Sequence, residues 1–397
     1  MRVVLLVESP ELAGAERVVL ELARAGRGEG AEAHVVTLRE SETTLPGSHY
    51  GGVRRQVLFR RGEFGWPQSA LSAAWRLRRA LAQLRPEVLA IHTPKAAVVA
   101  ALAGIKVPTL WVLHGHDICW DGGSLRRRFS RALQRWTRRR LGGRVAAVSA
   151  SLADHAAAGL AMPRQSITLI PNGVDLRRFR FQQKASRSEA TVCVLGRLVP
   201  WKGPMQALNA FGRLREKVPS AQLWFVGDGP MRQALEAEVT ARGWNDVVTF
   251  WGTLPKPEEP LREATVLWLP SESEGLPVAC IELMASGVPV IGFDVPGVSD
   301  LLKDGCGVLV PPGNAAKLAD ETLALLNDPE RYRTIARAAR ARVENEYSLE
   351  RMCAAHYSLM REISGVGSRP DDGSLSRGFH TRKSPRQKGA GVATLTK

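Results

Sequence analysis

Residues 2–7 read Arg-Val-Val-Leu-Leu-Val, an apolar run that predicts a buried β-strand. A loop at residues 8–13, a helical pattern at 14–27 and a second strand at 33–38 follow it. Strand, helix and strand make a βαβ unit, the repeating element of a doubly wound parallel sheet. These first forty residues therefore predict an α/β fold.

The same alternation of strand and helix continues through most of the 397 residues. Further strands are predicted at 88–92, 109–113, 144–148 and 167–170, and then at 191–195, 222–226, 247–250, 265–269 and 288–292. Two successive series predict two Rossmann-like domains that face each other across a cleft. We place these domains at residues 1–180 and 181–345, a final helix at 346–365 and a disordered basic tail at 366–397.

Charge is distributed unevenly between the two predicted domains. Residues 1–184 hold 29 Lys and Arg against 14 Asp and Glu, a net charge of +15 within a total of +16. Residues 185–365 carry −4 and the tail carries +5. A strongly cationic first domain indicates an anionic partner on that side.

The composition also argues against several classes of protein. The longest apolar runs fall short of the roughly 18 residues that a membrane span needs, and the run at 2–7 is too short for a signal peptide. The five cysteines are scattered, with no Cys-x-x-Cys spacing, so we expect neither a disulfide framework nor a zinc site. That usage favours a reducing cytoplasm.

Two loops of the second domain carry the most informative side chains. Residues 270–277 read Pro-Ser-Glu-Ser-Glu-Gly-Leu-Pro and follow a predicted strand, so they lie at the carboxyl edge where α/β sheets bind ligands. Glu274 in this loop and Glu282, about two turns into the next helix, are suited to accept sugar or ribose hydroxyls. The alternative is a capped helix with surface glutamates.

The other loop, residues 196–203, reads Gly-Arg-Leu-Val-Pro-Trp-Lys-Gly. Arg197 and Lys202 are suited to a diphosphate, and Gly196 would allow close backbone approach. A cationic loop in solvent is the alternative. Residues 227–230, Gly-Asp-Gly-Pro, match neither a Walker loop nor a dinucleotide fingerprint and support the site only as a turn.

In the first domain, Gly14 opens a helix, and its amide could meet a phosphate or simply allow tight packing. His114 and His116 follow a predicted strand, where either could contact a sugar hydroxyl or the leaving phosphate. A zinc site at His116 and Asp117 is disfavoured because further clustered ligands are missing from the sequence.

Residues 125–140 predict a basic amphipathic helix. Leu125, Phe129, Leu133 and Trp136 recur at helical spacing. Eight arginines surround them: Arg126, Arg127, Arg128, Arg131, Arg135, Arg138, Arg139 and Arg140. This pattern is typical of an interfacial membrane helix. The alternative is a helix whose apolar stripe packs on the core while its arginines face water, and the two can hold together.

Taken in order, these motifs resemble glycosyltransferase family 4. The resemblance rests on Gly14-Ala15-Glu16, His114-Gly115, Ser149, residues 172–175 (Asn-Gly-Val-Asp), Gly196-Arg197, Lys202-Gly203, residues 227–230, residues 274–277 (Glu-Gly-Leu-Pro), Glu282 and residues 285–290 (Ala-Ser-Gly-Val-Pro-Val). It covers about residues 1–360 and implies a retaining enzyme of the GT-B fold that needs no metal. A last helix that packs back on the first domain is also implied.

The resemblance also implies roles for single residues. Arg197 and Lys202 would bind the donor diphosphate, Glu274 the transferred sugar and Glu282 the ribose. Gly14 would contact phosphate, His114 would lie beside the reacting sugar, and Gly196, Gly275 and Leu276 would complete the donor site. This sequence departs from the family pattern at Ala13, where a glycine is common, and at Pro296.

We therefore expect a nucleotide-sugar donor and no cofactor. The expected acceptor is lipid-linked or a saccharide, at the inner face of the cytoplasmic membrane, in cell-surface polysaccharide or glycolipid synthesis. A sugar-nucleotide epimerase and a phosphorylase-like enzyme remain alternatives within the same fold. A basic nucleic-acid-binding protein is the alternative from another class, but aromatics make up only 6% of residues and no motif for nucleic acid is found, so we expect no such partner.

Overall fold

The computed structural model describes residues 1–9, 14–40, 52–115, 124–182, 190–254 and 257–365. Its first sheet has seven parallel strands in the order β3-β2-β1-β4-β5-β6-β7. These strands are β1 (Arg2–Val7), β2 (Glu32–Arg39), β3 (Arg54–Phe59), β4 (Val88–Ile91), β5 (Thr109–Leu113), β6 (Arg144–Ala147) and β7 (Ile167–Leu169). Helices on both faces connect them: α1 (Gly14–Ala25), α2 (Ala70–Leu84), α3 (Pro94–Leu102), α4 (Ser124–Leu141) and α5 (Ala150–Leu160).

The second sheet has six parallel strands in the order β10-β9-β8-β11-β12-β13. They are β8 (Thr191–Leu195), β9 (Gln222–Val226), β10 (Val248–Gly252), β11 (Val266–Leu269), β12 (Val290–Phe293) and β13 (Val308–Val310). Their helices are α6 (Pro204–Lys217), α7 (Arg232–Ala241), α8 (Glu258–Leu261), α9 (Val278–Ser286), α10 (Val298–Leu302), α11 (Ala315–Asn327) and α12 (Pro329–Glu346). The predicted α/β class with two doubly wound sheets is thus confirmed.

Apolar strands explain why both sheets are parallel. β1, β4 and β5 are buried along almost their whole length, as strands covered by helices on both faces must be. Each sheet reverses its strand order beside its first strand, between β1 and β4 and between β8 and β11. At such a switch point the loops that follow the strands diverge and leave a crevice, which is where the candidate site lies.

The last helix, α13 (Leu349–Ser364), returns to the first sheet as predicted. The phenol of Tyr357, fully buried on α13, donates a 2.6 Å hydrogen bond to the carbonyl of Leu22 on α1. The predicted start of this helix at Glu346 is wrong, because Glu346 ends α12. Ser348 caps α13 by accepting a hydrogen bond from the amide of Arg351.

The proposed boundary near residue 180 stays a prediction, although the two sheets separate between Leu169 and Thr191. The tail at 366–397 lies outside the described residues, and so do His116 and Asp117. Among the described residues, the helices include none that is both long and apolar enough to span a membrane.

Candidate functional site

Three glycine loops meet at the carboxyl edge of the second sheet. Gly203 has φ +65°, and a Cβ there would lie 2.2 Å from the carbonyl oxygen of Pro270, which draws the 196–203 loop against the 270–277 loop. Gly227 has φ +137° and packs equally closely on the carbonyl of Gly196. Only glycine fits at both contacts, because any Cβ would collide with the facing carbonyl. The contact at Gly203 brings the two predicted donor loops together.

Lys202 and Glu274 form an ion pair where these loops touch. Nζ of Lys202 lies 2.5 Å from Oε1 of Glu274, whose side chain is buried, while Lys202 keeps about a quarter of its side chain exposed (27%). A buried carboxylate is stable only when it is paired. The structure thus brings together two of the four predicted catalytic residues, and it places both at the edge of the cleft.

Arg197, a third predicted catalytic residue, projects from the same loop but in a different environment. Its guanidinium carbon lies 5.7 Å from the centre of the Trp201 ring, and both side chains are exposed. The amide of Gly196 donates to the carbonyl of Val226, so that amide already has an acceptor. Arg197 is therefore a solvent-facing cation next to the Trp201 ring, on the loop that also carries Lys202.

Two helices, one from each sheet, begin opposite each other across the cleft. Gly14 starts α1, and a Cβ on it would lie 3.8 Å from Cγ2 of Val278, the first residue of α9. The N-H groups of a first helical turn have no acceptor within the helix and carry a partial positive charge. Two such ends side by side make a place for an anion between the sheets.

Glu282 forms an ion pair across this cleft that the sequence did not reveal. Its Oε1 lies 2.6 Å from the guanidinium of Arg17, which stands on α1 one turn after Gly14. Burial raises the pKa of the Glu282 carboxyl, and Arg17 and then Arg178 act against that shift. Because α9 begins at Val278, Glu282 stands little more than one turn into its helix, and the two turns predicted are wrong.

His114 closes the first-domain side of the cleft. Its carbonyl oxygen would lie 2.0 Å from a Cβ at Gly275, so the glycine of the 270–277 loop is required for the two domains to approach. Nε2 of His114 is 3.1 Å from Nδ1 of His92, which follows β4. Burial, followed by the charge of His356, lowers the pKa of His114 to about 3, so its ring is neutral at physiological pH.

Other residues of the site were not assigned a role from sequence. Gly297 adopts φ +84°, and a Cβ there would lie 2.4 Å from the carbonyl of Glu274, so it supports the Glu274 loop. The amide of Asn172 donates a 2.8 Å hydrogen bond to the carbonyl of Leu276. Asn172 was noted only as part of the family pattern, because its contact, like that of Gly297, depends on a loop more than 20 residues away.

The basic helix α4 presents its arginines and two aromatic rings outward. Ser130, Gln134 and Thr137 are buried on its inner face, whereas Phe129 and Trp136 are 58% and 41% exposed. Arg128, Arg131, Arg135, Arg139 and Arg140 are exposed, and Arg138 is half-buried. The alternative in which the apolar stripe packs on the core therefore does not hold for Phe129 and Trp136. The side chains of Leu125, Arg126 and Arg127 lie outside the described residues.

Two parallel sheets face each other with their carboxyl edges, and charged side chains pair between them. This arrangement is the GT-B fold of glycosyltransferases that use nucleotide sugars. The family pattern described as "Glycosyltransferase Family 4" matches residues 12–178, and "Glycosyl transferases group 1" matches residues 175–342. Together the two patterns cover the chain without a gap from residue 12 to residue 342. The chain belongs to this glycosyltransferase family.

Curated relatives agree with this assignment. The 2-deoxystreptamine glucosyltransferase of Streptomyces kanamyceticus is 29% identical over 57% of this chain and 62% of its own length. A GDP-mannose-dependent alpha-(1-6)-phosphatidylinositol monomannoside mannosyltransferase of Mycobacterium tuberculosis is 28% identical over 69% of this chain and 73% of that protein. The chain spans only about half to two thirds of the length of the first curated relatives that it matches.

Solved structures share the fold. Anabaena Alr3699/HepE, in complex with UDP and glucose, is 20% identical with a TM-score of 0.76, covering 91% of this chain and 100% of that one. Sucrose-phosphate synthase from Thermosynechococcus elongatus has a TM-score of 0.77 at 20% identity, covering 92% and 100%. The predicted GT-B fold is confirmed by these neighbours.

Proposed function

We propose that this chain transfers a glycosyl group from a nucleotide-sugar donor, with retention of anomeric configuration, to a lipid-linked or saccharide acceptor. The observation that carries the proposal is the pairing of two buried carboxylates with two cations at the facing sheet edges. Glu274 pairs with Lys202, and Glu282 pairs with Arg17. Buried carboxylates suit hydroxyl groups, and Lys202 together with two helix N-termini suits a diphosphate.

Each group has a place in the donor complex. The diphosphate lies between the N-termini of α1 and α9, near Gly14, and takes Lys202 and Arg197 as its cations. Glu274, released from Lys202 when the diphosphate arrives, accepts hydrogen bonds from the transferred sugar. Glu282 accepts from the ribose. Gly196, Gly275 and Leu276 supply the close-packed backbone around them.

The transfer breaks the bond between the anomeric carbon and the diphosphate oxygen. It forms a bond from the same carbon to the acceptor oxygen, on the same face of the sugar. The departing phosphate oxygen takes the proton of the acceptor hydroxyl, so no nucleophile of the protein is needed. Lys202, Arg197 and the helix N-termini stabilise the charge that develops on the diphosphate. Neutral His114 contributes a hydrogen bond beside the sugar.

This reaction uses no metal ion in our proposal. Among residues that the structure describes, no three His, Cys, Asp or Glu side chains group in a way that could hold one. The positive charge on the diphosphate is instead assigned to side chains and helix ends. Activity unchanged by a chelator is the corresponding expectation.

Relatives support the donor and acceptor classes. HepE binds UDP and glucose, and the name of the mycobacterial relative gives GDP-mannose and phosphatidylinositol monomannoside. We propose a lipid-linked acceptor because α4 presents exposed arginines and two exposed aromatic rings on the first domain. This face suits an anionic membrane surface, at which the enzyme would be peripheral, on the cytoplasmic side.

A transfer assay with substitutions of the donor residues tests this proposal. Sugar transfer from a panel of UDP-, GDP- and ADP-sugars is followed by release of the nucleoside diphosphate and by NMR of the product. A hydrogen bond to a charged group contributes about 1.5–3 kcal/mol, so Glu274→Gln should slow transfer roughly tenfold to a hundredfold. Arg197→Ala should slow it as well.

Glu272→Gln is the matched control, since Glu272 lies exposed in the same loop. It should leave transfer unchanged. Wild-type activity in Glu274→Gln or Arg197→Ala contradicts the assignment of the donor site. A product of inverted configuration contradicts retention, and turnover of the nucleotide sugar to its epimer without an acceptor favours the epimerase alternative.

A further inference from the structure

Arg17 is the cation of the cleft that the proposed reaction does not yet use. It stands on α1 of the first domain, and its partner Glu282 lies 265 residues away on α9 of the second domain. The contact between them, at 2.6 Å, is a direct charged hydrogen bond between the two halves of the molecule. Arg17 keeps about a quarter of its side chain exposed, so the pair lies at the margin of the cleft.

The two carboxylate oxygens of Glu282 have different surroundings. Oε1 accepts from Arg17, whereas Oε2 is buried and no hydrogen-bond donor of the described residues reaches it. A buried carboxylate oxygen without a partner is unfavourable, and a hydroxyl that donates to it removes the penalty. The arrangement leaves one oxygen fixed by the first domain and the other available as an acceptor.

Arg178, in the segment that connects the two sheets, also acts on the charge of the Glu282 carboxylate. Arg178 donates to both oxygens of Glu258 at 3.1 and 3.2 Å and lies 4.0 Å from Glu21 on α1. Arg178 also favours the charged form of Glu282, while Glu258 opposes it. Burial raises the pKa of the Glu282 carboxyl, and Arg17, followed by Arg178, acts most strongly against that shift.

We infer that Arg17 is a positioning residue for the ribose of the donor, holding Glu282 charged and oriented so that Oε2 accepts a ribose hydroxyl. This inference rests on the proposed function, because it assigns the second carboxylate to a nucleoside diphosphate. The ribose site then consists of Glu282 from the second domain and Arg17 from the first. The nucleotide is therefore recognised only when α1 and α9 approach each other as they do here.

The alternative role for Arg17 is to hold the two domains together without affecting recognition. The two roles differ in one measurable quantity, the preference for a ribonucleotide over its 2′,3′-dideoxy counterpart. A domain clamp alone affects both nucleotides equally when it is lost. A positioning residue affects only the nucleotide that carries the hydroxyls, because the dideoxy form has nothing to donate to Glu282.

The experiment measures dissociation constants by calorimetry for UDP, GDP and their 2′,3′-dideoxy forms. For whichever base the full-length wild-type chain binds, we expect the ribonucleotide to bind about tenfold to a hundredfold more tightly, as for a hydroxyl bonded to a charged group. Arg17→Met should reduce that ratio to about one. Arg17→Lys should restore part of it, because the charge remains but the planar fork is lost.

Arg24→Met, on the exposed side of the same helix, is the matched control and should keep the wild-type ratio. Glu282→Gln should lower the ratio as Arg17→Met does, and adding Arg17→Met to it should change the ratio no further. This double variant also removes the unpaired buried charge that could prevent Arg17→Met alone from folding.

The inference is overturned if Arg17→Met keeps the wild-type ratio, or if the two substitutions reduce it independently. Failure of the proposed function gives a different result, in which the wild-type chain binds neither these four nucleotides nor ADP. Binding with a ratio of about one in the wild type contradicts the ribose role of Glu282 itself.

Discussion

Glu274 and Glu282 are the residues around which the cleft is organised, and each is buried with one cation beside it. The sequence identified both glutamates, and also Lys202, because turn glycines and prolines surround them after predicted strands. It did not identify Arg17, because a single arginine in the first turn of a helix is ordinary. Its role emerges only when α1 and α9 are seen to face each other.

Three histidines lie next to one another, with His92 and His356 buried and His114 half-buried. The ring of His92 stacks on that of His114 and on that of His356, with ring centres 5.3 and 6.3 Å apart respectively. Burial lowers the pKa of all three, to about 3 for His114 and about 4 for His356. His114 and His356 are therefore neutral in the folded protein at pH 5, whereas histidines of the unfolded chain take up protons below about pH 6.5.

The unfolded state binds more protons between these pKa values, so the free energy of unfolding falls as the pH falls from 7 to 5. A histidine that stays neutral contributes about 2 kcal/mol of that loss. His356→Asn should remove about this share of the pH dependence, measured by urea denaturation at both pH values. His155→Asn, at an exposed position, is the control. Equal pH dependence in wild type and His356→Asn would show that His356 is not kept neutral by burial.

Helix α4 shows how much of an element the sequence predicts. Its length, its arginines and its amphipathic spacing were all visible. The sequence did not show which face packs inward. The inner face consists of Ser130, Gln134 and Thr137, which are polar, whereas the rings of Phe129 and Trp136 are exposed. The spacing of the apolar stripe left two orientations open, one facing a membrane and one packing on the core.

An exposed basic face with aromatic rings predicts reversible binding to anionic membranes. Each arginine near such a surface contributes about 1 kcal/mol. Replacing Arg128, Arg131 and Arg139 by Gln should therefore lower the affinity for anionic liposomes, measured by sedimentation, roughly a hundredfold or more. A triple replacement of Arg213, Lys217 and Arg337, exposed in the second domain, is the control and should have little effect. Binding that does not depend on lipid charge would rule out this role of α4.

The two strands that the sequence analysis missed, β3 and β13, are polar at one end or short. β3 begins with Arg54 and Arg55, so its apolar character is confined to its last three residues, and β13 has only three residues. Both are edge strands, paired on one side only, so their sequences need less apolar surface than central strands do. Most predicted strands, by contrast, match the structure within two residues, because burial on both faces requires continuous apolar runs.

At the scale of the molecule, local patterns predicted two parallel sheets, whereas the cleft depends on how those sheets meet. Gly275 against His114 and Gly14 beside Val278 are contacts between segments far apart in sequence. Such contacts follow from packing of whole domains, which no local pattern encodes. The division of charge, with a cationic first half and a slightly acidic second half, was the one global property that the sequence supplied directly.

The most direct test of the account is a thermal-shift measurement with nucleoside diphosphates on wild type and on an Arg197→Ala, Lys202→Ala double variant. A ligand at a hundred times its dissociation constant stabilises the folded state by about 2.7 kcal/mol. We predict that at least one of UDP, GDP and ADP raises the melting temperature of the wild type by a few degrees and leaves the double variant nearly unchanged. No shift in the wild type, or an equal shift in both proteins, would contradict a donor diphosphate held by these two cations.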